Sequence, residues 1–142
     1  MIDPRDISVV VQGPVVGSIQ DRPEDQLTSM ALRSVRERLP GAELILSTWK
    51  GADTTGLSAD LIIHNDDPGA PSYFRDAKVL YNLNRQLRST AAGLERATRP
   101  YAMKLRSDMT IEGLGFLKLF EAFPARHPEW RVFSQRLIAC DL

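Results

Sequence analysis

The stretch KLRSDM, residues 104–109, places two bases and an acid within five residues. Successive side chains of an extended chain alternate sides. Lys104, Arg106 and Asp108 therefore share one face, and Met103, Leu105 and Ser107 the other. An aspartate flanked by cations can ligate a divalent metal that bridges a diphosphate, with a base balancing the charge. The same residues also describe a structural ion pair and an aspartate that turns the chain.

Three further polar clusters follow apolar runs. Gln12, Gly13 and Pro14 close the first: Gly13 lets a ligand approach the backbone, and Gln12 can recognise a base or ribose. Ser47, Thr48 and Trp49 close the second. Thr48 joins the ligand-facing set here, while Trp49 either lines a pocket or sits at the rim of the core. His64 and Asn65 lead into Asp66 and Asp67, and paired acids before Pro68-Gly69 hold a ribose, a base edge or a metal as readily as they make a turn. Neither GxGxxG nor GxxxxGK[ST] occurs, which removes the dinucleotide fingerprint and the P-loop.

The elements that carry these clusters are legible in the periodicity. ISVVVQGPV (7–15), AELILSTW (42–49) and DLIIHNDDPG (60–69) read as strands ending in turns, and YAMKLRSD (101–108) as a fourth, central strand. WRVFSQRL (130–137) reads as a fifth. DRPEDQLTSMALRSVRERLPG (21–41) reads as a helix, with Asp21 and Glu24 as a capping box, Leu27, Met30, Ala31, Val35 and Leu39 as its apolar stripe, and Pro40-Gly41 as its stop.

The longest helical pattern covers 72–98, with Phe74, Ala77, Leu80, Leu83, Leu87, Ala91 and Leu94 recurring at steps of three and four. Lys78, Arg85, Arg88 and Arg96 lie away from this stripe and Asn84 on its margin. Asn84 needs a partner in strand backbone or at the ligand edge, because an unpaired buried amide costs roughly 1–3 kcal/mol. Arg85 either meets water or turns toward an anion such as a diphosphate. LGFLKLFEAF (114–123) reads as a short helix.

Alternating strands and helices predict an α/β, Rossmann-like, mainly parallel sheet with helices on both faces. Ligands of such sheets bind beyond the carboxyl ends of the strands. The polar clusters above all fall at those ends. That convergence predicts a site there.

Composition sets the outer limits. Eighteen basic residues balance eighteen acidic ones, which argues against a dedicated nucleic-acid binder. Cys140 is the single cysteine, so a disulfide framework within one chain is excluded. The N-terminus lacks a signal-peptide pattern, and no apolar run approaches the ~18 residues that span a bilayer, so a cytoplasmic protein is expected. Residues 1–142 read as one domain. RVFSQRLIACDL ends without a cap or polar tail, so a domain truncated at its C-terminus is expected.

In order along the chain, VVVQGPV, SVRERLPGAELILSTWKG, IIHNDDPG, NLNRQLRSTAAGLERA and YAMKLRSD resemble the WavE-type lipopolysaccharide synthesis family of bacteria. The resemblance implies a GT-A-type glycosyltransferase domain that takes a nucleotide-sugar donor and a glycan or lipid-linked acceptor. It implies that Gln12, Gly13, Pro14, Asp66 and Asp67 sit at the nucleotide and that Asn84 and Arg85 lie beside the diphosphate sugar. Asp108 would be the last position of an Asp-X-Asp motif and the ligand of a divalent cation, manganese or magnesium. The motif here reads Arg106-Ser107-Asp108, with one acid where metal-dependent members of the fold usually have two, so Arg106 would partly replace the cation. No catalytic base carries over: Glu112, Glu121, Glu129 and Asp141 match no motif.

The sequence thus supports two functions of different class. One is a glycosyltransferase of surface-polysaccharide synthesis, or its donor-binding half. The other is a non-catalytic nucleotide-binding module on the same sheet. A nucleotidyltransferase would need a glycine- and base-rich loop after the first strand, and QGPVVGSIQDR is a poor match.

Overall fold

Three successive valines, Val9, Val10 and Val11, have no exposed surface. Only a strand covered on both faces buries consecutive residues this way. They lie in β1 (Ile7–Gln12), which pairs in parallel with both β2 (Glu43–Trp49) and β4 (Tyr101–Arg106). β3 (Leu61–Asn65) pairs in parallel with β2, giving the sheet order β3-β2-β1-β4. The computed structural model describes residues 2–69, 82–122, 127–133 and 137–139. The α/β parallel sheet expected from the sequence is present.

One face of the sheet carries Val9, Val11, Leu44 and Leu46, packed against Leu32, Val35 and Leu39 from α1 (Leu27–Arg38) and its C-cap. Leu117 of α3 (Gly115–Ala122) and Ile111 complete this core, with Met103 and Leu105 of β4 at its margin. The alternation read in residues 103–106 holds: Met103 and Leu105 are half-buried, and Lys104 and Arg106 are exposed on the opposite face. The capping box at Asp21 and Glu24 does not form. A short 3₁₀ turn occupies Pro23–Asp25, α1 starts at Leu27, and the Asp21 carboxylate accepts from the Ser18 amide instead. Pro40-Gly41 does stop the helix, Gly41 taking φ +85°.

The other face is covered by α2 (Leu83–Leu94), and here the structure departs from the sequence reading. The helix turns Ser89 and Gly93 to the sheet, both buried, while Leu83, Leu87 and Leu94 are 55%, 61% and 42% exposed. A Cβ built on Gly93 would lie 2.2 Å from Val10 Cγ1, so the glycine sets how closely the helix backbone approaches β1. A leucine stripe would hold it several ångströms further away. Residues 72–81 of the expected long helix, including Phe74, Ala77, Lys78 and Leu80, lie outside the described residues, and the helix ends at Leu94 rather than 98.

β4 is an edge strand rather than a central one. After β3 the chain returns past β2 and β1 and pairs on the far side of β1, and no described strand adds to its outer edge. The expected fifth strand does not form over 130–133, which make a turn and a bend, and 134–136 lie outside the described residues. Trp130 and Val132 are 74% and 84% exposed, so the alternation there buries no face against the sheet. Among the described residues no helix is long and apolar enough to cross a membrane.

At the amino ends of the strands, Glu43 ties the return of the chain to the sheet. Its carboxylate accepts from the Ser8 hydroxyl, from the Thr98 amide at 2.9 Å and from the Thr98 hydroxyl at 2.8 Å, while Ser8 Oγ accepts from the Arg99 amide at 3.1 Å. Burial opposes ionisation of Glu43, but these hydrogen bonds together outweigh it and hold the acid below its usual range. Residues 98–99 lie one residue before β4, so this cluster sets where β4 begins.

Two predictions follow from the packing and the anchor. Gly93→Ala should lower stability by about 1–3 kcal/mol through overpacking against Val10, although alanine is the better helix former. Adding Val10→Ala should recover part of the loss, which a urea-denaturation double-mutant cycle would measure. A depressed acid stabilises the fold above its unfolded pKa, and that stabilisation disappears as pH falls through the folded value. Glu43→Gln should therefore cost roughly 1–2 kcal/mol at neutral pH. The gap to the wild type should narrow below about pH 4. A gap independent of pH would contradict the anchor.

Candidate functional site

The strand order reverses between β1 and β4: β2 and β3 build outward on one side of β1, and β4 is added on the other. At such a switch point the loops leaving the two strands diverge and open a crevice. A cavity of about 410 Å³ lies there. Its floor is made by Gln12 at the end of β1, by Gly13 and Pro14 after it, and by Ser107 after β4.

The floor is held by backbone. The Gly13 amide donates to Ser47 O at 3.1 Å, and the Ser107 amide to Gln12 O at 2.9 Å. Ser107 Oγ donates to Pro14 O at 2.7 Å. Gly13 takes φ +129°, and a Cβ there would lie 2.6 Å from Ser107 Oγ. Glycine thus lets the ends of β1 and β4 close against each other. Gln12 is 3% exposed, and its Oε1 accepts from Ser89 Oγ of α2 at 2.7 Å.

Two guanidiniums face the cavity from different elements. Arg85, in the first turn of α2, donates through Nε and Nη2 to Asp67 at 2.8 and 2.7 Å and through Nη1 to Asn82 Oδ1 at 3.1 Å. Arg106, the last residue of β4, donates through Nε and Nη2 to Asp108 at 2.9 and 2.7 Å. Hydrogen bonds from Arg106 hold the Asp108 carboxyl below the usual range against the opposing effect of burial. Those from Arg85, then from the Gly69 amide, do the same for Asp67.

Seven residues singled out in the sequence therefore meet at one cavity: Gln12, Gly13, Pro14, Asp67, Arg85, Arg106 and Asp108. Four others lie outside its lining. Thr48 is fully buried within β2, and its hydroxyl has no hydrogen-bond partner among the described residues. Asp66 pairs with Lys50 at 2.7 Å. Asn84 is half-buried on α2, and Lys104 is exposed on β4 two residues before the strand end. Asn65 is structural: its Nδ2 donates to Ser47 Oγ and Thr48 O, both at 2.9 Å, locking the ends of β2 and β3. His64 is exposed.

Trp49, weighed in the sequence as pocket or rim, lines the cavity. Asn82, Gln86 and Ser107 also line it and were not singled out. For Asn82 the signal was available through α2: once Arg85 is placed inward, the residue three before it is its neighbour on the helix surface. Ser107 follows from Gly13, whose missing side chain marks the spot where the second strand end comes close.

Among the described residues no group of three or more His, Cys, Asp and Glu is placed to hold a metal. The two carboxylates of the cavity, Asp67 and Asp108, each have both oxygens engaged by a guanidinium. A divalent cation held by one or two carboxylates, water and phosphate oxygens still needs a carboxylate oxygen free to ligate it, and with every such oxygen held by an arginine this arrangement does not fit one. What the arrangement offers is oriented N–H donors, a buried amide and an indole around a space of ligand size. That combination suits an anionic, partly aromatic ligand.

A parallel sheet with helices on both faces and a crevice at its switch point defines an α/β, Rossmann-like domain. More particularly, the family model described as WavE lipopolysaccharide synthesis matches residues 7–142, nearly the whole chain, and the protein belongs to that family. Membership implies a role in lipopolysaccharide synthesis. No curated protein and no solved structure matches the chain.

Thr48 yields a test of this placement. Replacing a buried, unpartnered hydroxyl by a methyl removes a desolvation cost of about 1–3 kcal/mol. Thr48→Val should leave the urea midpoint unchanged or raise it. A clear fall would mean that the hydroxyl has a partner and that β2 is oriented differently.

Proposed function

We propose that the chain binds a nucleotide-sugar donor and serves sugar transfer in lipopolysaccharide synthesis as a GT-A-like glycosyltransferase domain, or as its donor-binding half. The observation that carries this reading is that Arg85 and Arg106, from α2 and β4, face one cavity floored by the Gly13 backbone at the switch point. Trp49 offers a face for a base and Gln12 a buried amide for its edge or for a ribose.

In the transfer itself, the bond from the sugar's anomeric carbon to the diphosphate oxygen breaks and a bond to an acceptor hydroxyl forms. Negative charge gathers on the departing diphosphate, and oriented guanidiniums stabilise charge that develops there. The acceptor hydroxyl, on a glycan or a lipid-linked sugar, must lose its proton to a base.

That requirement favours a second reading. Asp67 and Asp108 are both committed to guanidiniums, so among the described residues no carboxylate of the cavity is left to act as base. A nucleotide-binding module without its own catalysis is consistent with this, and turnover separates the two.

The test is a thermal-shift panel with UDP, GDP, CMP and dTDP on the wild type and on Arg85→Ala. One nucleotide should raise the melting temperature, by an amount equivalent to about 2.7 kcal/mol at a hundredfold excess over its dissociation constant. Arg85→Ala should weaken that ligand by roughly tenfold or more, the worth of a charge-assisted hydrogen bond. Release of the sugar from the corresponding nucleotide-sugar would mark the enzyme, and binding without release the module. No shift with any nucleotide would overturn the proposal.

A further inference from the structure

The sequence pattern Arg106-Ser107-Asp108 falls where the GT-A resemblance implies a metal-binding acid, yet the residues at that place do not assemble a cation site. Asp108 presents both carboxylate oxygens to Arg106 Nε and Nη2, at 2.9 and 2.7 Å. This is a planar, bidentate fork, the geometry in which guanidinium and carboxylate match best. The other acid of the cavity, Asp67, is taken up in the same way by Arg85. A metal at Asp108 would first have to displace a guanidinium two residues away in the same turn.

The fork has a second consequence. It uses the Nε–Nη2 edge of Arg106 and leaves the Nη1 edge without a hydrogen-bond partner among the described residues. Arg106 lines the cavity. It is also at the last position of β4, opposite Gln12 in the register, so its backbone is fixed by the sheet. The Arg106 side chain is thereby held at both ends, its backbone by the strand and its guanidinium by Asp108. A cation fixed in this way loses little side-chain freedom when an anion arrives.

We infer that Arg106 is the fixed counter-charge for the ligand's diphosphate, standing where a divalent cation would otherwise stand, and that Asp108 positions this arginine rather than ligating a metal. This rests on the nucleotide-sugar reading above. The site then binds its ligand without a divalent cation. Freed of its arginine, Asp108 would become an available acid beside the diphosphate, so the metal requirement is set by one side chain.

The experiment is calorimetric titration of the full chain with UDP, GDP and dTDP, and with the monophosphate CMP as the control that lacks a diphosphate, each in EDTA and in excess manganese. It uses the wild type, Arg106→Lys, Arg106→Ala and the double variant Arg106→Ala/Asp108→Asn, with unliganded melting temperatures as the folding control. The wild type should bind one nucleoside diphosphate with equal affinity in EDTA and in manganese. Arg106→Lys keeps the charge but loses the fork, and should bind several-fold more weakly. Arg106→Ala should lose about tenfold or more in EDTA, or 1.4 kcal/mol per factor of ten. Manganese should restore part of that loss, and the restoration should vanish in the double variant.

Wild-type binding that requires manganese would overturn the inference while leaving the nucleotide reading intact. Arg106→Ala binding as tightly as the wild type in EDTA would overturn it as well. Failure of manganese to rescue Arg106→Ala would overturn the claim that arginine and metal share one place. Absence of any nucleotide binding, with or without manganese, would overturn the nucleotide reading and this inference with it.

Discussion

The close approach of α2 to β1 is the constraint on which the cavity depends. Gly93 against Val10 and Ser89 against Gln12 bring the helix backbone down onto the sheet, through a glycine and one hydrogen bond instead of a layer of leucines. That contact fixes the helix's first turn at the carboxyl end of the sheet, and with it Asn82, Arg85 and Gln86. The same contact seats the Gln12 amide at the cavity floor. A helix riding on its leucine stripe would carry Arg85 away from β1 and open the crevice to water.

The opposite wall comes from a different set of forces. β4 is held to β1 by six register pairs, begins where Glu43 anchors residues 98 and 99, and ends where Gly13 allows Ser107 to close in. Arg106 is therefore placed by main-chain hydrogen bonding, and its own side chain by Asp108. The cavity is locally neutral, with each arginine matched by an aspartate. Its character lies in where the donors point rather than in net charge. This is why an overall charge of zero is compatible with the anionic ligand proposed for the cavity.

The strands were readable because β-branched runs closed by Gly, Pro or Asx have few other outcomes, and the parallel sheet followed from their alternation with helices. The site was readable in outline, because strand ends gather at one edge in such a sheet. α2 was misread in orientation: periodicity reports which residues form a stripe but not which stripe meets the sheet, and here small residues won because β1 offers Val10 and Gln12. β4 was misplaced because sheet order is set by a long-range pairing that leaves no local mark. Thr48 and Asn65 sit near strand ends like Gln12, but the Thr48 hydroxyl is buried inside β2 and the Asn65 amide, at the end of β3, is taken up by Ser47 and Thr48 of β2. Gln12 and Arg106, at the ends of the strands flanking the switch point, line the cavity instead.

The central claim is that Arg85 and Arg106 close on one ligand in the crevice between β1 and β4. The most direct measurement is a two-dimensional ¹H–¹⁵N NMR titration with UDP, GDP, CMP and dTDP, following the arginine Nε–H and tryptophan indole N–H resonances. The account predicts that one nucleotide moves the Nε–H signals of Arg85 and Arg106 together with the Trp49 indole, at one common saturation, and leaves the exposed Trp130 indole unmoved. Shifts confined to the separate cleft around Ser18, Gln26 and Asp53, or shifts of one arginine without the other, would contradict it.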